Sequence, residues 1–157
     1  MKIFILAVGR TSTEYIRKAT DDYISRISHY CPVEFRMLAD IKNTRGLSEQ
    51  QQKEREGAMI LDCLAPSDRV VLLDECGREF TSREFSTQLQ QYMVQGLKRL
   101  VFVIGGPYGF SDAVYKRADG KISLSKMTFS HEMVRLFFAE QVYRAMTIMR
   151  GEPYHHD

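Results

Sequence analysis

Short apolar runs alternate with segments of helical periodicity along this chain, and that alternation restricts the possible folds more than any other feature. The runs "KIFILAV" (residues 2–8), "RVVLLDE" (69–75) and "RLVFVIGG" (99–106) are rich in apolar and β-branched residues and have the length of strands buried on both faces. Between the first two, residues 13–29 place apolar side chains three and four positions apart, as an amphipathic helix does. Strands separated by helices predict an α/β domain of three layers with a mostly parallel sheet.

The ends of the other elements are predicted from capping and turn residues. Gly77 is expected to break the strand that begins at Arg69. The expected helix N-caps are Ser48, Thr81 or Ser82, Ser111 and Ser130. The remaining predicted elements are a helix over 13–29, a strand over 33–38, a loop over 39–47, helices over 48–64, 81–97 and 111–118, a short strand that leaves into a loop within 121–129, a helix over 131–150 and a tail over 151–157. The length of 157 residues predicts one domain, spanning 1–157.

Composition excludes several classes of protein. The formal net charge is only +2, so composition does not indicate a strong nucleic-acid binder, and any polyanion would have to meet a local basic patch. No apolar run approaches the roughly 20 residues that span a bilayer, and "MKIFILAVG" is too short for a signal peptide, so a cytoplasmic protein is expected. Three widely spaced cysteines (Cys31, Cys63 and Cys76) fit neither a disulfide framework nor a zinc site, and we expect reduced thiols in or near the core.

The predicted helix over 131–150 is apolar around most of its circumference. A helix that covers one outer layer of a domain should leave a polar face toward water. The surplus apolar surface indicates a second partner, most simply another copy of the chain, and therefore a homodimer.

The stretch "VFVIGGPYGFSD" (101–112) joins a strand to a turn with three glycines. It is no phosphate loop, because no Gly-Lys-Ser/Thr follows and Pro107 lacks one of the amides that would hold a phosphate. The turn is better suited to a flat ligand held by main-chain contacts. A metal site is not expected: the adjacent His155 and His156 point to opposite sides of an extended tail, and with Asp157 they offer weak ligation at most.

Three separated motifs carry a resemblance that covers the whole chain. They are "VIGGPYGF", "LSKMTFSHEMVRLFFAEQVYRA" and the terminal "GEPYHHD", supported by "MKIFILAVG", "REGAMIL" and "LLDECG". In this order they resemble the RlmH family of SPOUT-class methyltransferases. The resemblance implies transfer of a methyl group from S-adenosylmethionine to N3 of a pseudouridine in large-subunit (23S) rRNA. It also implies a homodimer and a trefoil knot near the C-terminus, which periodicity does not reveal because knots are rare exceptions to chain threading.

The same resemblance implies a cofactor site made of three chain segments. Its residues match Leu73, Gly105 and the loop of Leu124, Ser125, Lys126, Met127, Thr128 and Phe129. Apolar walls with a few main-chain hydrogen bonds suit adenine and the carbons of methionine. Glycine at 105 would let the ligand approach the backbone, and the alternative is a glycine needed only for the turn.

Three further residues are predicted to be catalytic, two of them from the resemblance and one from its place on the last helix. Tyr154 and His155 of the tail are expected to reach the active site of the partner subunit, His155 as a base or proton relay and Tyr154 as a group that stacks on or hydrogen-bonds the target base. Arg144 either faces the substrate phosphate or anionic base, or forms an ion pair with Glu140 four residues earlier.

Two other functions stay open at the level of sequence. One is a dimeric RNA- or nucleotide-binding module without catalysis, and the other is a SPOUT enzyme acting on tRNA or another rRNA base. The candidate phosphate contacts are Arg10, Lys42, Arg45, Lys116, Arg117, Lys121 and Lys126. The low net charge favours an enzyme that recognises an assembled ribosomal surface over one that binds free RNA.

Overall fold

The computed structural model describes residues 1–156, in which five parallel strands form a single sheet in the order β2-β1-β4-β3-β5. All four strand pairs are parallel. In chain order the elements are β1 (Lys2–Val8), α1 (Glu14–Ser28), β2 (Val33–Leu38), α2 (Glu49–Asp62), β3 (Arg69–Glu79), α3 (Ser82–Val94), β4 (Arg99–Ile104), α4 (Asp112–Arg117), β5 (Gly120–Ser123) and α5 (His131–Arg150). The predicted α/β class with a parallel sheet is confirmed.

Successive residues of each central strand bury side chains on opposite faces of the sheet, which creates the three layers. Ile3 and Ile5 of β1 pack in one core with residues of α1, α3 and α5. Phe4 and Leu6 pack in a second core with residues of α2 and α4. Burial on both faces is the reason that these strands read as continuous apolar runs.

Side-chain caps begin four of the five helices, as expected. Ser48 and Thr81 each accept a hydrogen bond from the backbone three residues later in a full capping box, with Gln51 and Glu84 as the reciprocal partners. Ser111 and Ser130 cap α4 and α5 in the same way without the reciprocal bond. The Ser130 cap fixes where α5 begins, and with it the end of the segment that leads from β5 at the sheet edge into this longest helix.

The expectation that Gly77 ends its strand is wrong. Strand β3 continues through Gly77 to Glu79, with an irregular register against β5 between Leu73 and Arg78. A Cβ at residue 77 would lie only 2.4 Å from the carbonyl carbon of Ile122. Gly77 therefore permits the close approach of two strands. A glycine inside a strand can have this role as well as ending the strand.

Three side chains lie elsewhere than the sequence indicates. Tyr15, one of the apolar positions that give residues 13–29 their helical spacing, is 73% exposed. The polar Thr20 is buried on the same helix, where its hydroxyl donates to the carbonyl of Ile16 at 2.8 Å. Cys31 and Cys63 pack beside the two cores as expected, but Cys76 is exposed.

Helix α5 buries one side against the sheet and leaves a second apolar side only partly covered. Phe138 and Val142 belong to the core, whereas Met133 and Leu136 are half-buried and Phe137 is exposed. The aromatic ring of Phe137 packs against that of Phe129, just before the helix. Among residues 1–156, none of the helices combines the length and apolarity needed to cross a membrane.

Candidate active site

A cavity of about 630 Å³ opens at the carboxyl ends of β3, β4 and β5. Leu73 at the end of the regular part of β3, Gly105 after β4 and residues 124–129 after β5 all line it. The structure thus brings together all eight residues that the sequence predicts to hold the cofactor. Carboxyl ends of parallel strands are where open α/β sheets bind small molecules, since the loops diverge there.

The glycine turn over 105–110 is shaped by its neighbours as well as by the cavity. A Cβ on Gly105 would approach the Phe110 ring to 3.0 Å, and one on Gly106 would approach the Glu56 carboxylate to 2.5 Å. Gly109 has φ of +79° and donates its N–H to the Gly106 carbonyl at 3.2 Å. These glycines therefore have packing reasons of their own, beside any approach of a ligand.

Glu56 is a buried carboxyl group beneath this turn. Its Oε1 accepts a hydrogen bond from Gln52 at 3.0 Å, while Oε2 has no partner among the described residues. Burial raises the pKa of Glu56, against the opposing hydrogen bond from Gln52. The "REGAMIL" motif therefore supplies a residue that supports the turn from below, on α2.

The loop after β5 is held by short polar contacts. The Ser123 hydroxyl donates to the Ser125 carbonyl at 3.1 Å, and the Ser125 hydroxyl accepts from the Met127 amide at 2.9 Å. Lys126, Met127 and Thr128 are exposed, so the loop offers one apolar and one charged side chain at the mouth of the cavity.

The cavity wall also contains acidic and aromatic side chains that the sequence analysis does not predict to lie there. Asp74 accepts a 2.5 Å hydrogen bond from the Tyr115 hydroxyl, and Lys121 lies over the Tyr115 ring at 5.5 Å. Burial, together with the bond to Asp74, raises the pKa of Tyr115, which stays protonated and donates. Other members of the wall are Glu49, Glu75, Cys76, Tyr108, His131 and Val134. In the sequence, the pattern that indicates these acidic residues is the pair Asp74 and Glu75 directly after the apolar part of β3, where a parallel strand ends.

The first turn of α5 ties the cavity to the loop after β1. Glu132 accepts hydrogen bonds from the Ser12 amide and hydroxyl, both at 2.7 Å, and from the Thr13 amide at 3.2 Å. Hydrogen bonds from Thr13 and Ser12 lower the pKa of Glu132 to about 2. Buried Arg135 donates to the Val8 carbonyl at 2.6 Å and to the Thr11 hydroxyl at 2.7 Å.

The three residues predicted to be catalytic form one cluster at the other end of α5. Arg144 pairs with Glu140 and also lies 3.3 Å from Nδ1 of His155. The Tyr154 hydroxyl donates to the same carboxylate at 3.1 Å and lies 3.2 Å from the hydroxyl of Tyr23 on α1. The tail is therefore docked on α1 and α5 through Tyr154.

Burial and hydrogen bonding keep the tail tyrosine protonated. Burial, followed by the hydrogen bond to Tyr23 and the charge of Glu140, raises the pKa of Tyr154. The guanidinium carbon of Arg144 lies 4.9 Å from the centre of the Tyr154 ring, and the Tyr143 ring packs edge-on to it at 4.8 Å. The ion pair of Arg144 with Glu140, foreseen from spacing, is present.

Within one chain, the tail cluster does not reach the cavity. His131 lines the cavity, whereas Arg144 lies 13 residues further along the same helix. At 1.5 Å per residue, this separates the two positions by about 20 Å along the helix axis. Neither Arg144 nor the tail residues Tyr154 and His155 line the cavity.

Arg117, one of the candidate phosphate contacts, bonds the protein's own main chain. It donates to the carbonyls of Ala65 and Asp68 at 2.8 and 3.0 Å, so its guanidinium is engaged within the domain. In residues 1–156, His, Cys, Asp and Glu side chains form no group of three that could hold a metal ion. Asp157, named with the tail histidines as a weak ligand, lies outside the described residues.

Comparisons with known proteins identify the family to which this chain belongs. Residues 1–155 match the family described as "Predicted SPOUT methyltransferase", and the chain belongs to that family. It is 59% identical over 157 residues, 100% of both chains, to ribosomal RNA large subunit methyltransferase H of Parabacteroides distasonis. It is 56% identical over 156 residues, 99% of both chains, to the protein of the same name from Flavobacterium psychrophilum. The expected RlmH relationship and methyltransferase activity are thereby confirmed.

Proposed function

We propose that this chain methylates N3 of a pseudouridine in large-subunit (23S) rRNA of assembled ribosomes, using S-adenosylmethionine, as a cytoplasmic homodimer. The observation that carries the proposal is the cavity at the carboxyl ends of β3, β4 and β5, in a chain of the SPOUT methyltransferase family. Its relatives, similar over their full length, are named as methyltransferases of large-subunit ribosomal RNA. We therefore propose large-subunit ribosomal RNA as the substrate of this chain.

The size and charge of the cavity fit the cofactor. Its volume of about 630 Å³ lies in the range of small-molecule sites. S-adenosylmethionine carries a sulfonium, an ammonium and a carboxylate, so it is cationic overall. The wall contains the carboxylates of Glu49, Asp74 and Glu75 against the ammonium of Lys126, which favours a cationic ligand.

The predicted residues would contact different parts of the cofactor. Leu73 and Leu124 would cover the apolar faces of the cofactor, and Gly105 would let it approach the main chain. The remaining predicted cofactor residues are Ser125, Lys126, Met127, Thr128 and Phe129. When bound, the cofactor would supply a methyl carbon activated by its bond to the sulfonium, and its transfer to N3 would break that carbon–sulfur bond and return the electron pair to sulfur. Because this carbon is already activated, the residues contribute chiefly by alignment, and effective alignment lowers a barrier by several kcal/mol, roughly 7–11 at most.

A composite dimer site is supported by two features of α5. Arg144, Tyr154 and His155 form a docked cluster about 20 Å along α5 from the cavity of their own chain. The apolar side of α5 around Phe137 is only partly covered, as expected of a helix that packs against a second copy. We propose that the tail of one subunit completes the cavity of the other.

The trefoil knot expected from the family resemblance belongs to the same proposal. It is supported by the strand order, since the chain crosses from β4 past β3 to reach β5 at the sheet edge. The loops after β3, β4 and β5 then converge on one cavity.

The test is a methylation assay on ribosomes that lack the modification. The protein is incubated with labelled S-adenosylmethionine and either assembled ribosomes or protein-free rRNA, and fragment mass spectrometry locates the methyl group. Label on one large-subunit pseudouridine from ribosomes alone is the expected result. Cofactor binding without product contradicts the proposal and favours a binding module. Label on tRNA or another rRNA base instead identifies a different SPOUT substrate.

A further inference from the structure

The hydrogen bonds around Arg144 have a consequence for the chemistry of His155. Arg144 Nη1 lies 3.3 Å from His155 Nδ1, while its Nη2 pairs with Glu140. A guanidinium has five N–H donors and no acceptor, so Nδ1 must be the acceptor in this bond. A neutral imidazole that accepts at Nδ1 carries its single proton on Nε2.

The direction of the neighbouring hydrogen bonds reinforces this arrangement. Glu140 Oε1 accepts from Arg144 and from the Tyr154 hydroxyl, and Oε2 accepts from Gln141 at 2.8 Å. The carboxylate thus holds the guanidinium through Nη2, while Nη1 faces His155. Arg144 is partly buried by these contacts, and bonding to Glu140 raises its pKa, so the donor to Nδ1 remains charged.

We infer that His155 acts as an Nε2–H hydrogen-bond donor to the target base, not as its general base, and that Arg144 is the positioning residue that sets this tautomer. The inference rests on the proposed function and refines the role of His155 within it. The lone pair of Nδ1 is occupied by Arg144, and Nε2 already carries a proton. In this tautomer the ring offers no nitrogen lone pair with which to take the N3 proton.

A donor at this place has a defined task in the reaction. Loss of the N3 proton to water leaves a pyrimidine anion whose charge spreads onto the two flanking carbonyl oxygens. An Nε2–H directed at one of these oxygens stabilises the anion, and His155 begins and ends the reaction with the same proton. The N3 lone pair would then be available to the methyl carbon of the bound cofactor, whose bond to sulfur would break as the N–C bond forms, and water holds the released proton. Removing one such preorganised donor lowers kcat by about 100- to 1,000-fold.

Conservative replacements separate a donor from a base. The amide nitrogen of glutamine reaches the position of Nε2 and donates, whereas that of asparagine reaches only the position of Nδ1, and neither amide accepts a proton at neutral pH. We expect His155→Ala and His155→Asn to lose about 100-fold in kcat, and His155→Gln to recover at least about tenfold of that loss. The exposed neighbour provides the matched control, because His156→Ala should leave kcat unchanged.

The tautomer is measured directly, without substrate, by long-range ¹H–¹⁵N correlation of the imidazole rings in the full-length protein. The His155 signals are assigned by their absence from the His155→Gln spectrum. We expect the Nε2–H form in wild type and a mixture of tautomers in Arg144→Met, which has no donor for Nδ1. Arg144→Met should also lower kcat with little change in KM for the cofactor, a split that simple loss of stability would not produce.

Two results would overturn the inference: an Nδ1–H tautomer in wild type, or His155→Gln as inactive as His155→Ala. An inactive wild-type enzyme would instead contradict the proposed function, while the NMR spectrum would still decide the tautomer. The two failures are therefore distinguishable.

Discussion

Substituting Gly77 by alanine should force β3 and β5 apart and damage the loop that lines the cavity. The added Cβ would lie 2.4, 2.6 and 2.7 Å from the backbone C, N and Cα of Ile122. Ordinary contact begins near 3.4 Å, so the strands must separate by about 1 Å. No side-chain rotation can relieve this contact, because the neighbour is main chain.

The cost follows from overpacking and from weakened strand pairing. Overpacking costs about 1–3 kcal/mol, and the adjacent pairs Arg78↔Ile122 and Glu79↔Ser123 lose part of their hydrogen bonding, at about 1 kcal/mol per bond. We expect Gly77→Ala to lower the free energy of unfolding by about 2–4 kcal/mol and Tm by about 5–15 °C. Because Leu124 follows two residues after Ile122, cofactor affinity should fall about tenfold or more.

Gly120→Ala is the matched control in the partner strand. A Cβ at Gly120 meets nothing within 4 Å and its φ is not positive, so the change should stay within about 0.5 kcal/mol. Thermal unfolding and calorimetric titration with S-adenosylmethionine measure both variants. Equal stability and equal affinity of the two variants would refute the assignment of Gly77 as a close-approach residue.

Three more substitutions test other parts of the structure. Glu56→Gln removes a buried carboxylate. Because burial raises the pKa of Glu56 in the folded protein, the wild type loses stability as pH rises through this raised pKa. The Tm of the variant should therefore exceed that of wild type at pH 7.5, and the difference should vanish below about pH 4.5. Glu132→Gln should lower Tm at neutral pH but not in acid. The pKa of Glu132 is about 2 in the folded protein, against an ordinary 4.5, so its carboxylate stabilises the protein above about pH 4.5 and ceases to do so as pH falls toward 2. Equal pH dependence of Tm in variant and wild type would contradict this. Phe137→Glu should convert the proposed dimer to monomers in analytical ultracentrifugation, whereas exposed Tyr15→Glu should not, and a dimer that survives the Phe137 change would argue against the α5 interface.

Much of the fold was predictable because each central strand is buried on both faces. That burial produces the apolar runs of β1, β3 and β4, and the caps Ser48, Ser111 and Ser130 mark three helix starts. The continuation of β3 through Gly77 was not predictable, because a glycine that breaks a strand and one that admits a neighbouring backbone look identical in sequence.

The cavity was predictable from motifs, and its electrostatics were not. The resemblance pointed to Leu73, Gly105 and the loop over 124–129, all of which line the cavity. The bond between Asp74 and Tyr115 joins residues 41 positions apart, and the contact of Glu56 with the glycine turn joins α2 to the end of β4. Such long-range polar contacts depend on the packed chain, so local periodicity carries no signal for them.

Mixed dimers show whether two subunits share each active site. Gly105→Val should block the cofactor cavity, and His155→Ala should disable the tail, so that each homodimer keeps no more than about 1% of wild-type activity. Differently tagged chains are co-expressed, and the mixed dimer is isolated and assayed on ribosomes lacking the modification. A shared site predicts one intact cavity-and-tail combination in the mixed dimer, with activity approaching half that of wild type. If each chain used its own tail, both sites would carry a defect, and an inactive mixed dimer would contradict the claim.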